Sequence, residues 1–242
     1  MGEPDRNEKP TGKILAVIPA RGGSKRFPGK ALRTVGGRTL IARAIRCAQD
    51  ADCIDEILFS TDDKKYADAA EAAGIPVGFM RPEELATDES STWDVLRHAL
   101  DWYRNRKAEE PAYIVCLQPD SPLRLPSDID NAVLLAEENG LEFLASMTGP
   151  SHHPHWCFRP AGKDKATALF PGGLGARSQD LPEIYIPNGA VYVVTPSWLD
   201  KGDNTYPEIT GVYLMPPQRS VDIDTEFDLA LAEFLVNYTR DV

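Results

Sequence analysis

From Pro19 to Lys30 the chain reads P-A-R-G-G-S-K-R-F-P-G-K, so that four cations, Arg21, Lys25, Arg26 and Lys30, are interleaved with glycines directly behind a short apolar run. Backbone amides free of side chains can close around phosphate oxygens, and the cations offset charge as a phosphate group departs. A bare glycine pair would read as a surface turn; the density of cations behind a buried strand favours a loop that wraps a triphosphate. It is not a Walker A loop, because five residues separate Gly23 from Gly29 and Ala31, not Ser or Thr, follows Lys30. A Rossmann G-x-G-x-x-G is absent from this loop as well, so neither ATPase nor dinucleotide chemistry is supported.

Near the other end stand Asp222 and Asp224. Two apart on an extended backbone, their carboxylates point to the same side and could share Mg2+ ions that bridge phosphates. The plainer alternative has Asp224 capping the helix behind it and Asp222 solvated. His152, His153 and His155 also invite a metal, but Pro154 interrupts them and no fourth ligand follows at a suitable spacing, so zinc is not expected.

The charge distribution points the same way. The 242 residues carry a net charge of −11, which repels a nucleic-acid backbone, yet Lys13 to Gln49 holds nine basic residues and no Asp or Glu. A localised cationic zone in an acidic chain suits a small polyanionic ligand. Four scattered cysteines with no C-x-x-C pair argue against a zinc site or a disulfide framework and read as reduced thiols. With no long apolar run and no basic, apolar leader, a cytoplasmic protein is expected, its residues 1–12 forming a loose tail.

The elements that must position these residues alternate. Lys13 to Ala20 and Asp55 to Ser60 read as strands, Arg38 to Ala51 and Asp63 to Ala73 as helices. Ser91 to Lys107 is a helix opened by Ser and Thr, Tyr113 to Gln118 a buried strand, Asp128 to Glu138 a helix and Phe143 to Thr148 a strand. From Gly149 to Pro187 six prolines and five glycines replace the alternation, marking an inserted subdomain. Ala190 to Val194 and Gly211 to Met215 return to strand character before a closing helix, Thr225 to Tyr238. The alternation predicts a single α/β domain, residues 13–242, on a doubly wound, mixed and mostly parallel sheet whose ligands gather at the strands' carboxyl ends.

With the loop in place, the chain resembles the acylneuraminate cytidylyltransferases, or CMP-sialic acid synthetases. Similar signatures recur at Ser60-Thr61-Asp62, Arg81 to Ala86, Leu117 to Arg124, Asn188 to Tyr192 and Val221 to Asp224. Six ordered motifs over most of the chain are far more specific than one, and the Gly-Gly-Ser-Lys form favours this branch over the related Kdo enzymes. The resemblance implies a nucleotide-diphosphosugar transferase-like fold and Mg2+-dependent coupling of CTP to a sialic-acid-type sugar with release of pyrophosphate. It implies that Ala20, Arg21, Gly22, Gly23, Ser24 and Lys30 hold the triphosphate, and that Arg81 and Ser90 lie at the cytosine. Gln118, Asn188, Tyr192 and Tyr206 would face the sugar or nucleotide, with Asp222 and Asp224 as metal ligands. Arg21, Lys30, Asp222 and Asp224 are then the catalytic set. Residues 149–187 would pair with their twin in a homodimer and help cover the neighbouring site. Ala31 stands where the family often has Asn, Ser178 where it often has a second Arg, and Ile186 where bacterial relatives often carry Arg. The last two changes remove cations near an acidic sugar, so legionaminic acid or Kdn is an expected alternative to N-acetylneuraminic acid. Two further alternatives stand: a cytidylyltransferase for another sugar acid such as Kdo, and an inactive nucleotide-binding homologue.

Overall fold

The apolar run behind the cationic loop forms β1 (Ile14–Pro19), buried along all but its last residue. In this computed structural model, which describes residues 11–202 and 204–238, β1 is a central strand, and its alternation serves two cores at once. Ile14, Ala16 and Ile18 face one helical layer; Leu15 and Val17 face the other. Parallel neighbours flank it on either side, β4 (Glu56–Ser60) and β5 (Tyr113–Cys116). Beyond β5 come β9 (Ile186–Val194), antiparallel to both its neighbours, then β6 (Phe143–Thr148) and β10 (Gly211–Leu214), which pair in parallel. The order is β10-β6-β9-β5-β1-β4.

Helices α1 (Leu40–Gln49), α2 (Lys64–Ala72) and α4 (Pro126–Glu138) cover one face; α3 (Thr92–Lys107) and α5 (Pro196–Asp200) cover the other. Their starts follow from side-chain caps. Thr39, Asp63 and Ser91 accept hydrogen bonds from the first-turn amides of α1, α2 and α3, which would otherwise be unpaired. Helix α4 starts two residues before the expected Asp128. Pro126 suits the first turn, and the Asp128 carboxylate accepts from Leu125 N at 2.8 Å. A third cluster lies outside the two layers, where α6 (Glu226–Tyr238) lays Ala232 and Val236 against Phe27, Val35, Leu40, Leu123 and Ile223.

Strand β9 begins at Ile186, four residues earlier than the apolar pattern suggests. Pro187 and Gly189 interrupt that pattern, and the β6–β9 register shifts between Ala145 and Met147. The preceding excursion carries its own small antiparallel pair, β7 (Phe158–Pro160) and β8 (Ala166–Ala168), with three 3-10 turns. Its Phe158, Leu169, Phe170 and Leu174 are exposed, with the Phe170 ring 5.3 Å from that of His155. A hairpin of β2 (Thr34–Val35) and β3 (Arg38–Thr39), absent from the expected elements, links the cationic loop to α1. Residues 1–10 of the expected tail lie outside the described residues. Among the described residues no helix is long and apolar enough to cross a membrane.

Candidate active site

A cleft of about 450 Å³ opens at the carboxyl ends of β1 and β5, lined among others by Ala20, Arg21, Ser24, Lys30, Arg81, Ser90, Gln118 and Asp224. Eight of the residues expected to bind ligand therefore share one cavity. Beside them lie Lys25, Arg26 and Asp120.

The cationic loop is anchored at both ends. Ala20 N donates to Ser60 O at 2.9 Å, continuing the β1–β4 ladder, and Gly22 N donates to the Asp62 carboxylate at 3.0 Å. A Cβ at Gly22 would stand 2.7 Å from the Asp63 carboxylate, so glycine lets the loop run this close to β4. Gly22 and Gly23 shape the loop without lining the cleft. Arg21 donates to Thr87 O at 2.7 Å and pairs with Asp88 at 3.0 Å, while Lys25 reaches the same carboxylate at 2.5 Å. Asp88 thus gathers two cations across the cleft mouth. These ion pairs are exposed and weak, and a phosphate group would compete for the same cations.

The cationic loop meets Asp224 through Lys30 and Arg26, whereas Asp222, the other half of the acidic pair, does not line the cleft. Lys30 Nζ lies 2.7 Å from Asp120 Oδ2, 3.3 Å from Asp224 Oδ1 and 3.0 Å from Ile223 O; Arg26 reaches Asp224 Oδ2 at 2.6 Å. Burial works to lower the pKa of Lys30, but Asp120, followed by Asp222 and Asp224, overrides it and leaves the value raised. Desolvation and the like charges of Asp120 and Asp224 push the Asp222 carboxyl upward. Since Asp222 as a whole is solvent-exposed, screening tempers that effect, and its direction rests most firmly on the neighbouring carboxylates.

Asp120 belongs to a recognised motif but was not among the expected site residues. Its Oδ2 binds Lys30 while its Oδ1 is buried with no hydrogen-bond partner. Ile223 N donates to Asp120 O at 2.9 Å, tying the two acidic segments together. Among the described residues no three His, Cys, Asp or Glu side chains form a ready metal cage. Magnesium, however, is usually held by one or two carboxylates and completes its shell with water and phosphate oxygens. The orphaned Asp120 oxygen and the mutually repelling Asp222 and Asp224 fit that donor set, so Mg2+ is compatible with this corner of the cleft.

The remaining expected residues divide. Arg81, 6% exposed, donates to Ser60 O at 2.7 Å and Ser60 Oγ at 3.2 Å; burial, offset in part by Asp62, lowers its pKa to about 10, leaving it cationic at neutral pH. Ser90 Oγ donates to Glu84 O at 3.0 Å and closes the loop that carries Asp88. Gln118 faces the cleft beside Gly189, whose φ of +73° favours glycine and where a Cβ would stand 2.9 Å from Gln118 Oε1. Asn188, Tyr192 and Tyr206 do not line the cleft. Tyr192 sits among Trp93 and Tyr206, its hydroxyl accepting from Tyr206 Oη at 3.0 Å, and Asn188 is 5% exposed within a polar network. His153 and His155 contact each other, Nδ1 to Nδ1 at 3.2 Å, near the start of the excursion and outside the cleft lining.

Comparison with known proteins agrees with this geometry. A cytidylyltransferase family model matches residues 15–167. The CMP-N,N'-diacetyllegionaminic acid synthase of Legionella pneumophila is 36% identical over 234 residues, 95% of this chain and 98% of that one. The N-acylneuraminate cytidylyltransferase of Escherichia coli is 29% identical over 91% of this chain, which spans only 51% of that longer protein. Among solved structures, a CMP:2-keto-3-deoxy-manno-octonic acid synthetase complexed with CTP superposes with a TM-score of 0.68 at 18% identity, covering 95% of this chain and all of that one. That last likeness shows the shared fold.

Proposed function

The chain belongs to the cytidylyltransferase family, and on that premise we propose that it couples CTP to a nonulosonic acid, an acidic nine-carbon sugar, to give the CMP-sugar and pyrophosphate. One observation carries the reading: in a single cleft Lys30 joins the cationic loop to Asp120 and Asp224. The anomeric hydroxyl of the sugar attacks the α-phosphorus of CTP and gives up its proton to solvent; the bond from that phosphorus to the β-phosphate oxygen breaks, and pyrophosphate leaves. Arg21, Lys25, Arg26 and Lys30 stand where negative charge accumulates on the leaving group, and fixed cations stabilise it most where water is excluded. Arg81 and Ser90 occupy the cleft wall where a pyrimidine can be selected by hydrogen bonds, as a small base demands.

Asp120, Asp222 and Asp224 are the residues that would hold magnesium. When bound, the ion neutralises charge on phosphate oxygens. The full-length likeness to a legionaminic acid enzyme supports a legionaminic-type sugar first, with N-acylneuraminate and Kdn as near relatives. The exposed apolar residues of the 149–187 excursion support its pairing with a second copy in a homodimer.

The test is a panel of legionaminic acid, N-acetylneuraminic acid, Kdn and Kdo, each incubated with CTP and Mg2+ while pyrophosphate is measured. Release with one or more nine-carbon acids is expected. Release with Kdo alone would move the protein to the eight-carbon branch, and CTP binding with no release from any sugar would make it an inactive homologue.

A further inference from the structure

The segment Asn188-Gly189-Ala190-Val191 bulges out of the β6–β9 ladder. Ala145 pairs with Tyr192 and Met147 with Pro187, so four residues of β9 stand opposite Ser146 alone. Backbone groups freed by the bulge are taken up by side chains. Ala190 N donates to Asn188 Oδ1 at 3.2 Å and Val191 N to Ser146 Oγ at 2.7 Å; Asn188 O accepts from Ser121 Oγ at 3.4 Å. The Ser146 hydroxyl donates in turn to Asn188 Oδ1 at 2.6 Å, which fixes the orientation of the Asn188 amide. Its Nδ2 is thereby turned the other way, and donates to Ser220 Oγ at 2.9 Å and to the buried Met215 Sδ at 3.4 Å.

Ser220 stands two residues before Asp222, and its hydroxyl donates to Pro216 O at 2.9 Å. On the other side of the same turn, Arg219 pairs with the buried Asp128 at 2.7 Å. The acidic segment is therefore held to the sheet through the Asn188 amide and to α4 through Arg219. Asn188, 5% exposed and bonded through both oxygen and nitrogen to protein atoms, has nothing left to offer a sugar.

We propose that Asn188 is a positioning residue: the bulge aims its amide at Ser220 and so sets the placement of Asp222 and Asp224, instead of contacting the sugar. This rests on the functional reading above. The decisive variant is Ser220→Ala, which removes the acceptor from a residue outside the cleft lining and leaves Asn188 in place. Calorimetry of CTP binding should show about tenfold weaker affinity in Mg2+ and no change without it, since partners behind metal ligands typically contribute this much. With the preferred sugar, kcat should fall about tenfold while KM for the sugar stays within about twofold, and Ser220→Thr, keeping the hydroxyl, should restore both. If Ser220→Ala matches wild type in Mg2+–CTP binding and kcat, the proposal fails. It fails equally if Asn188→Ala raises the sugar KM selectively with Mg2+–CTP binding intact. A wild-type protein inactive on every sugar would overturn the functional reading, and the CTP-binding arm would still decide the role of Asn188.

Discussion

Lys30 Nζ lies within 2.7 Å of Asp120 and 3.3 Å of Asp224, and Asp222 adds its charge to the same corner. Replacing Lys30 by Met keeps the aliphatic stem and removes the only contact of Asp120 Oδ2 with a cation recorded among the described residues. Turnover should fall at least about a hundredfold, the scale of losing a charged transition-state partner, as measured by pyrophosphate release. Asp222→Asn should separate chemistry from stability. A carboxyl whose pKa is raised on folding costs stability once ionised, so the cost is absent at low pH and grows as pH climbs through the ordinary carboxylate range toward the raised value. The variant should lose turnover yet melt higher than wild type near pH 8 in the absence of metal, the gap closing toward about pH 4. A melting point below wild type near pH 8 would contradict the repulsion argued here. The cations and the D-x-D pair were legible because residue type and local spacing alone mark them. Asp120 was not: its significance comes from Lys30, far earlier in the chain, and only folding brings the two together.

At the scale of elements, α6 and the β2–β3 hairpin hold the two halves of the site in register. Arg33 pairs with Glu226 at 2.7 Å, Gly36 N donates to Glu233 at 2.7 Å, and Ile223, fully buried between the two acidic residues, packs with Phe27 and Leu40. Ile223 thus anchors the acidic segment as a side chain while Asp222 and Asp224 face outward. Ile223→Ala should cost about 2–5 kcal/mol in denaturant unfolding through the cavity it leaves. Its catalytic loss should persist under conditions where the variant is fully folded, because the anchor that separates the two carboxylates is gone; wild-type kcat in folded variant would remove Ile223 from the positioning machinery. The closing helix was visible in the sequence as an apolar pattern behind the acidic pair. The hairpin was not, since strands of two residues carry no periodicity, and the five residues of α5 are too few to show a helical one. The early start of β9 was hidden for a different reason. Side chains, not the ladder, satisfy the bulged backbone, so the segment does not alternate as a strand does.

For the whole molecule the open question is what covers the excursion. Phe158 is 56% exposed and Leu174 45%, and with Leu169 and Phe170 they give a small, turn-rich segment more apolar surface than its own two-stranded sheet can bury. A second copy meeting the first across this segment would bury that surface twice over, and the proximity of β9 to the cleft through Gly189 and Gln118 means that the paired excursions would also wall the sugar side of each site. Phe158→Asp combined with Leu174→Asp should therefore turn a dimer into a monomer in size-exclusion chromatography with light scattering. Because the proposed nucleotide contacts come from the chain's own loop, Mg2+–CTP binding should survive in that monomer while kcat/KM for the sugar falls, a split that simple unfolding would not produce. A wild-type protein that is monomeric at micromolar concentration, or a monomeric variant with an unaltered sugar kcat/KM, would show that the excursion serves neither pairing nor the active site.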